Sequence, residues 1–335
     1  EAGKKRADRE KGTVLEHLKR SLNFTRTHLG KNKLPLLGFA DWNDCMNLPL
    51  GAESSFNAGL YAKALLEMMD ICETLGDTKS VKMYKGWYED IKKAFNDAAW
   101  DGKWWIRWFD KEGNAYGTHK AKYGKIYCNS QSWSVMSGIA YGERAVMGMD
   151  SLNKLLNTAN GVKSSTPGYR GFDGRVGGIS TYPPGAKENG GIFLHTNPWV
   201  MIAETILGRG DKAFQYYNQI NPASKNAKLD EFESEPYCYP QNILGDEHKQ
   251  FGMGRNAWLS GTSSWTYQAA TQYIIGVRAG LQGLVVDPCI PSSWKGFTVT
   301  RKFRGATYEI TVKNPKGVCK GVASMVVDGK EIDSN

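Results

Sequence analysis

The stretch Ser54–Asp77, SSFNAGLYAKALLEMMDICETLGD, indicates the fold class of the chain. Its apolar residues recur every three or four positions, as they do on one face of an amphipathic helix, and Gly76 ends the pattern. A second helical pattern follows Asp77. It places Val81, Tyr84, Trp87, Tyr88, Ile91 and Phe95 on one face. Two such helices joined by a short turn predict an antiparallel helical hairpin.

Helical patterns of this kind recur before residue 280. We predict further helices at Val14–His28, Ser130–Gly148, Pro198–Leu207, Asp211–Ile220 and Ser263–Val277. After Gly280 the residues alternate in polarity or are β-branched, which favours antiparallel strands. Those segments are Leu284–Val286, Phe297–Arg301, Thr307–Val312 and Ala323–Val327. The fold class is therefore predicted as mainly α over residues 1–280, followed by a small antiparallel β-domain over residues 281–335.

Composition and charge exclude several classes of function. The 335 residues carry a net charge of +9, but Lys and Arg are dispersed and not clustered with aromatic residues, so we predict no nucleic-acid partner. We expect no signal peptide, and no apolar run approaches the ~18 residues of a membrane span. We therefore predict no membrane contact and a cytoplasmic location.

The six cysteines lie far apart, and no histidine stands beside them at metal-ligand spacing. We therefore predict free thiols in a reducing compartment and no bound metal. The 11 tryptophans are expected mainly in the core, although such richness also suits the stacking of sugar rings.

The loop Leu34–Asn47, LPLLGFADWNDCMN, is the first candidate site. Asp41 and Asp44 flank the indole of Trp42, between an apolar run and a helix. An aromatic ring covers the apolar face of a pyranose and desolvates a neighbouring carboxyl group, which raises the pKa of that carboxyl toward a proton-donating role. The alternative is that Asp41 and Asn43 only cap the helix that follows.

Three later segments combine polar side chains with turn-forming Pro and Gly. The segment Thr181–His195, TYPPGAKENGGIFLH, offers Tyr182, Lys187, Glu188 and His195, and its alternative is a plain surface loop. The segment Glu233–Gln241, ESEPYCYPQ, carries Glu235 and Tyr237. The segment Trp258–Trp265, WLSGTSSW, places a turn of Ser260, Gly261 and Thr262 ahead of a predicted helix. Backbone N–H groups, hydroxyls and the helix dipole at such a turn attract anions.

These motifs together carry a family resemblance. The run ADWNDCMN with the following GAES, and the run YPPGAKEN, resemble the catalytic segments of the inverting disaccharide phosphorylases of glycoside hydrolase family 94, of the cellobiose phosphorylase type. The resemblance implies an (α/α)6-barrel catalytic domain followed by a small β-domain. It also implies that this chain lacks the first helices of the barrel.

The resemblance further implies roles for single residues. Asp44 corresponds to the general acid. Sugar contacts are implied for Tyr182, Lys187, Glu235 and Tyr237. From their side chains and positions we add Trp42, Asp41 and Glu188 as candidate substrate-binding residues, with Asp41 expected to position Trp42 and the loop. Phosphate contacts are implied for His195, Ser260, Gly261 and Thr262, with Ser260 standing where the family usually has Thr. No cofactor is expected, because inorganic phosphate is a co-substrate. A protonated His195 imidazole would be stabilised beside a phosphate dianion.

The chemistry implied is phosphorolysis of a β-glucosidic disaccharide with inversion. An inverting hydrolase needs a second carboxylate to activate water, whereas phosphate is already anionic and attacks the anomeric carbon itself. We expect cellobiose as the substrate, with laminaribiose or a cellodextrin as alternatives. Two other functions remain open: an inverting hydrolase with Glu233 or Glu235 as its base, and a sugar-binding module without catalysis.

The family also binds phosphate through an arginine that precedes the catalytic loop, and Glu1–Lys33 offers none at that place. We therefore expect the front portion of the enzyme as a partner, either as another chain or as a segment absent from this one, and poor activity of the 335 residues alone. A homodimer is a further expected assembly.

Overall fold

The computed structural model describes residues 10–332. Residues 1–9 of the predicted helical domain and residues 333–335 of the predicted β-domain lie outside that range. The α-helices within it are α1 Val14–Thr27, α2 Ser55–Thr74, α3 Thr78–Ala98, α4 Cys128–Met136, α5 Gly142–Leu156, α6 Asn197–Ile206, α7 Gly210–Ile220, α8 Leu229–Phe232 and α9 Thr262–Gln268. A π-helical segment, Ala269–Ile274, continues α9.

The strands of residues 10–332 are short. They are β1 Glu53–Ser54, β2 Trp108–Phe109, β3 Ala115–Tyr116, β4 Ile126–Tyr127, β5 Asn157–Thr158, β6 Gly161–Val162, β7 Ser165–Thr166, β8 Ile192–Phe193, β9 Pro240–Ile243, β10 Gly254–Ala257, β11 Val277–Ala279, β12 Leu284–Val286, β13 Gly296–Phe303, β14 Ala306–Lys313, β15 Met325–Val327 and β16 Lys330–Ile332. All their pairings are antiparallel.

Helices α2 and α3 form the predicted hairpin, and local side chains fix where each begins and ends. The Ser54 hydroxyl accepts a hydrogen bond from the N–H of Asn57 at the start of α2. The Asp77 carboxylate accepts one from the N–H of Ser80 at the start of α3. Gly76 lies between the helices with a φ of 72°, in the left-handed region that favours glycine and ends a helix. The hairpin prediction is confirmed.

The helices form two layers. Helices α2, α4, α6 and α9 pack side by side as an inner row, and α3, α5 and α7 pack against α2, α4 and α6 from outside. All nine residues of α4 are buried, whereas the outer helices bury one face. Paired helices in two layers are the construction of an α/α barrel. Its closure into a ring of six pairs stays a prediction.

An aromatic line connects the inner row. Phe56 of α2, Trp133 of α4, Trp199 of α6 and Trp265 of α9 make successive ring contacts, with centroids 5.4–5.8 Å apart. Most of these rings are buried in the larger hydrophobic core. The line lies under the candidate site described below.

The prediction of one helix over Ser130–Gly148 is wrong. The chain forms α4 and α5 instead, separated by residues 137–141. Gly138 has a φ of 71° and Gly142 a φ of 57°, so the backbone leaves the right-handed helical region at both ends of the break. The Asn96 side chain of α3 donates a hydrogen bond to the Ile139 carbonyl, and Tyr88 donates one to the Ser137 carbonyl. The break is therefore the turn of another hairpin.

The C-terminal segment consists of antiparallel hairpins, as predicted: β11 with β12, β13 with β14, and β15 with β16. The β11–β12 hairpin lies on both sides of residue 280, and the domain boundary at 280/281 stays a prediction. This segment packs on the outer helix α7. Ser292 donates to Asp211 through its N–H, and Trp294 contacts Phe214 edge to face.

Two predictions, that the chain has no membrane span and that its cysteines are free thiols, can be compared with the structure of residues 10–332. No helix of that range is both long and apolar enough to cross a bilayer. The six cysteines are free thiols, and five of them are buried.

Candidate active site

The acid loop, defined here as residues 34–47, is held by a buried ion pair. Arg107 Nη2 lies 2.8 and 2.7 Å from the two carboxylate oxygens of Asp41. The side chains of both residues are at most 1% exposed. The Ser54 hydroxyl and the N–H of Asn43 also donate to Asp41. This carboxylate is therefore saturated with donors and fixes the loop against the start of α2.

Arg107 extends the same network beyond Asp41. It also donates to the Asn43 side-chain oxygen at 3.1 Å and to the Ser54 hydroxyl at 3.1 Å. Asn129 of α4 donates to the same Asn43 oxygen at 2.9 Å. The guanidinium lies over the rings of Phe56 and Trp108, with its central carbon 5.3 and 5.1 Å from their centroids. Sequence analysis did not select Arg107 or Asn129.

Asp44 differs from Asp41 because its side chain is exposed to solvent. Cys45 and Glu188 lie beside it, and one ligating atom from each of the three lies within 4.8 Å of the others. Burial raises the pKa of the Glu188 carboxyl, and the charge of Asp44 raises it further. The loop therefore presents one accessible carboxyl group with a buried one next to it, whose pKa is raised.

Tyr182 and Lys187 come from the segment Thr181–His195, which packs behind the acid loop. Tyr182 contacts the hydrophobic cluster that contains Cys45 and Met46. Lys187 Nζ lies 5.3 Å from the centroid of the Tyr182 ring. The Asn189 amide donates to the carbonyls of Tyr169 and Tyr182, so the segment has a fixed course. The structure thus brings Tyr182, Lys187 and Glu188 to the Asp44 side of the loop.

A three-stranded sheet gathers the remaining motifs at one edge. Its order is β10-β9-β8, with Phe193 opposite Asn242 and Ala257 opposite Pro240. In antiparallel strands the end of one strand neighbours the start of the next. His195 follows β8, Tyr237 precedes β9, and the turn at Ser260 follows β10. All three motifs therefore leave the sheet at the same edge.

His195 connects this edge to the acid loop. Its ring contacts Trp42, with centroids 5.0 Å apart, and lies 5.2 Å from the Trp199 ring. On its other side it packs on Gly261, where an added Cβ would overlap the imidazole. Trp42 is half-buried and also contacts Phe193 and Trp199 edge to face. The candidate phosphate residues and the acid loop thus share one aromatic cluster.

The electrostatics of His195 differ from the expectation of a protonated imidazole. Burial lowers the pKa of His195, so the protein by itself favours the neutral ring. A bound dianion would act in the opposite direction and favour the protonated ring.

The turn at residues 260–262 satisfies part of its own hydrogen-bonding capacity. The N–H of Thr262 donates to the Ser260 hydroxyl at 3.0 Å, and the two hydroxyl groups hydrogen-bond to each other. Thr262 is fully buried. Its N–H is therefore already engaged, contrary to the expectation of an N–H group free for an anion.

Glu235 and Tyr237 are exposed at the same edge. Tyr237 has a φ of 61° and a side chain that is 72% exposed. A hydrogen bond from the N–H of Trp258 to Cys238 Sγ links the segment Glu233–Gln241 to the chain just before the turn at residues 260–262. Trp258 itself is 74% exposed. The edge therefore offers exposed carboxylate, phenol and indole groups.

Comparison with known proteins identifies the family. The family model for the glycosyl hydrolase 94 superfamily, catalytic domain, matches residues 4–276. The chain belongs to this superfamily. Its relatives include N,N'-diacetylchitobiose phosphorylases from Vibrio proteolyticus and Vibrio furnissii, 40% and 38% identical over 97% and 98% of this chain. A solabiose phosphorylase from Paenibacillus borealis is 32% identical over 97% of the chain.

The chain spans about two fifths of the length of these relatives, 41% of each Vibrio protein and 43% of the Paenibacillus protein. Among solved structures, a sialidase matches 95% of this chain and 29% of its own, with a TM-score of 0.63 at 13% identity. A rhamnosidase from Bacillus sp. GL1 matches 80% of this chain and 24% of its own, with a TM-score of 0.51 at 14% identity. At such identities the likeness concerns the fold alone.

Proposed function

We propose that this chain is the acid-bearing portion of an inverting disaccharide phosphorylase, with Asp44 as the general acid. The observation that carries the proposal is the contact of Trp42 in the acid loop with His195, which packs in turn on Gly261. The loop that carries the proposed proton donor is thereby in contact with the residues proposed for phosphate. Membership in the glycosyl hydrolase 94 superfamily and the names of its relatives support the same reaction.

In the proposed reaction, a phosphate oxygen forms a bond to the anomeric carbon while the glycosidic C–O bond breaks. Asp44 gives its proton to the leaving oxygen. The products are an α-sugar 1-phosphate and a free sugar, because attack comes from the face opposite the leaving group. Asp41 takes no part in proton transfer, because its oxygens already accept hydrogen bonds from Arg107, Ser54 and Asn43.

The remaining site residues divide by position. Trp42, Tyr182, Lys187 and Glu188 are proposed for the sugar next to Asp44, and Glu235 and Tyr237 for the acceptor sugar at the sheet edge. His195, Ser260, Gly261 and Thr262 are proposed for phosphate. We further propose that the part of the relatives' length that this chain does not span supplies additional contacts to phosphate, in the same chain or in a partner.

Two substrates follow from two different observations. The relatives with 40% and 38% identity are named for N,N'-diacetylchitobiose, and we therefore place that disaccharide first. Ala40 and Cys45 around the DWND core favour cellobiose, which the relatives named above do not support specifically. The proposed class common to both is a β-linked disaccharide.

The test is a disaccharide panel with and without phosphate, run on the complete protein that contains this chain. We expect phosphate-dependent release of sugar 1-phosphate from one panel member, reduced about 10²- to 10⁴-fold by Asp44→Asn. Asp70→Asn, at an exposed position of α2, is the matched control and should retain wild-type rates. Equal sugar release without phosphate would instead identify a hydrolase, and sugar binding without turnover would identify a binding module.

A further inference from the structure

Three metal-ligating side chains meet at the edge of the acid loop. Asp44 and Cys45 are adjacent in the loop, and Glu188 approaches from the segment Thr181–His195. One ligating atom from each lies within 4.8 Å of the other two. Ligands that share one zinc-type ion at about 2.0–2.3 Å are separated from each other by roughly 3.3–4 Å. Small side-chain rotations would therefore bring all three onto one cation.

Glu188 supplies a second, independent observation. The residue is 6% exposed, and its Oε2 atom is buried without a hydrogen-bond partner. Its backbone is clamped, because the hydroxyls of Ser164 and Ser165 donate to the Glu188 carbonyl at 2.8 and 3.0 Å. A buried carboxyl oxygen that accepts no hydrogen bond costs free energy, and a bound ligand would remove that cost. The Glu188 backbone is therefore fixed, and its carboxyl group lies against the Cys45 thiol, which hydrogen-bonds to it, while Oε2 has no partner of its own.

The charges of the cluster also favour a cation. Burial raises the pKa of the Cys45 thiol, and the neighbouring carboxylates of Glu188 and Asp44 raise it further. Each group that ionises here adds a negative charge beside another negative charge. A divalent cation removes that repulsion, and the exposed side of Asp44 gives it a path from solvent.

We infer that Asp44, Cys45 and Glu188 form a binding site for a thiophilic divalent cation such as Zn²⁺ or Cd²⁺. The Cys45 sulfur and one oxygen from each carboxylate bind the ion, and solvent takes the fourth position of a tetrahedral site. Binding releases the thiol proton, and the proton of Glu188 where present, to water.

The consequence of the site is inhibition, and this part rests on the proposed function. A cation on Asp44 occupies the oxygen that would carry the transferred proton, so the metal-bound protein lacks its acid. The binding itself does not depend on which reaction Asp44 serves. A spectroscopic measurement of binding therefore stands apart from any measurement of activity.

The test is titration of the complete reduced protein that contains this chain with Cd²⁺ in phosphate-free, non-chelating buffer, followed by the ultraviolet charge-transfer band of a cadmium-bound thiolate. We expect a component of this band that saturates at one equivalent and disappears in Cys45→Ser. Glu188→Gln should weaken binding at least about tenfold, since even outer-sphere partners of a metal contribute that much. Asp44→Asn, at an exposed position, should weaken it similarly without loss of fold.

Two controls match these variants. Cys319→Ser removes the one thiol that is not fully buried, and Glu204→Gln removes another buried glutamate without a hydrogen-bond partner. Both should bind Cd²⁺ like the wild type. Absence of a band in the wild type, its persistence in Cys45→Ser, or wild-type affinity in Glu188→Gln would each overturn the site.

Activity provides the separate outcome for the complete enzyme. Cd²⁺ should inhibit sugar release by the wild type, and Cys45→Ser should resist the same concentration. If Cd²⁺ binds with the expected variant pattern but no disaccharide is phosphorolysed, the metal site stands and the proposed function fails. If turnover is normal while Cd²⁺ occupies the site, the inhibitory role is refuted.

Discussion

At the scale of single residues, the two aspartates of the acid loop have opposite environments. Asp41 is covered and paired with Arg107, whereas Asp44 is open to solvent three positions later. The sequence motif alone does not distinguish the two carboxyl groups chemically. Only the fold shows that Asp41 has a structural role. Arg107 could not be found from sequence because it lies 66 residues from Asp41, and nothing near it in the chain indicates that pairing.

Replacing Arg107 with Met should destabilise the protein strongly. The substitution leaves the Asp41 carboxylate buried without its partner, which typically costs about 3–5 kcal/mol. Urea unfolding monitored by tryptophan fluorescence measures the change. Arg26→Met is the control, since its ion pair with Asp90 is partly exposed and should cost at most about 1 kcal/mol. Equal losses in the two variants would contradict the structural role of Arg107.

Replacing Gly261 with Ala should weaken phosphate use by the complete enzyme. Gly261 has a φ of −79°, so alanine is not strained there, but its methyl group would overlap the His195 ring. Overpacking of this kind costs about 1–3 kcal/mol, and where that cost opposes phosphate binding it corresponds to a rise in KM for phosphate of about 5- to 150-fold.

The matched control is Gly86→Ala on the exposed side of α3, where an added Cβ meets no atom within 4 Å. It should leave kinetics unchanged and stabilise the helix by up to about 1 kcal/mol. An unchanged KM for phosphate in Gly261→Ala would separate this turn from the phosphate site.

At the scale of elements, the helical hairpins follow from sequence because their signals are local. Caps at Ser54 and Asp77 and the glycine at position 76 act within a few residues, and the observed bounds of α2 and α3 agree closely with the prediction. The break after α4 was missed because side chains of α3 stabilise it from outside the segment. The edge of the β10-β9-β8 sheet was missed for the same reason, since register between distant strands has no local signature.

The junction of α6 and α7 should make stability depend on pH. Burial raises the pKa of Glu204 to about 7 from an ordinary value of 4.5, although Arg209 lies 3.5 Å away and opposes the shift. Between these values the folded state holds a proton that the unfolded state has lost. The contribution of Glu204 to stability therefore falls as pH rises from about 4.5 to about 7, by about 3 kcal/mol at most.

Urea unfolding of the wild type and of Glu204→Gln across this range tests the prediction. The difference between their unfolding free energies should change with pH, with the variant losing less stability as pH rises. Parallel pH profiles of the two proteins would contradict it.

At the scale of the whole molecule, the aromatic line along the inner helices contacts His195 through Trp199 and Trp265, and His195 contacts Trp42 of the acid loop. The chain belongs to the glycosyl hydrolase 94 superfamily, and the geometry adds that His195 contacts both Trp42 and Gly261. The sequence predicted the sugar less well than the family. A few residues of the acid loop favour cellobiose, whereas the relatives that match nearly all of this chain are named for other disaccharides.

The central claim is that phosphate from solution replaces a catalytic base. The most direct measurement follows the fate of phosphate by ³¹P NMR during disaccharide cleavage by the complete enzyme. The proposal predicts one α-sugar 1-phosphate for every free sugar formed, and no cleavage above background when phosphate is omitted. Free sugar that accumulates without consumption of phosphate would contradict it.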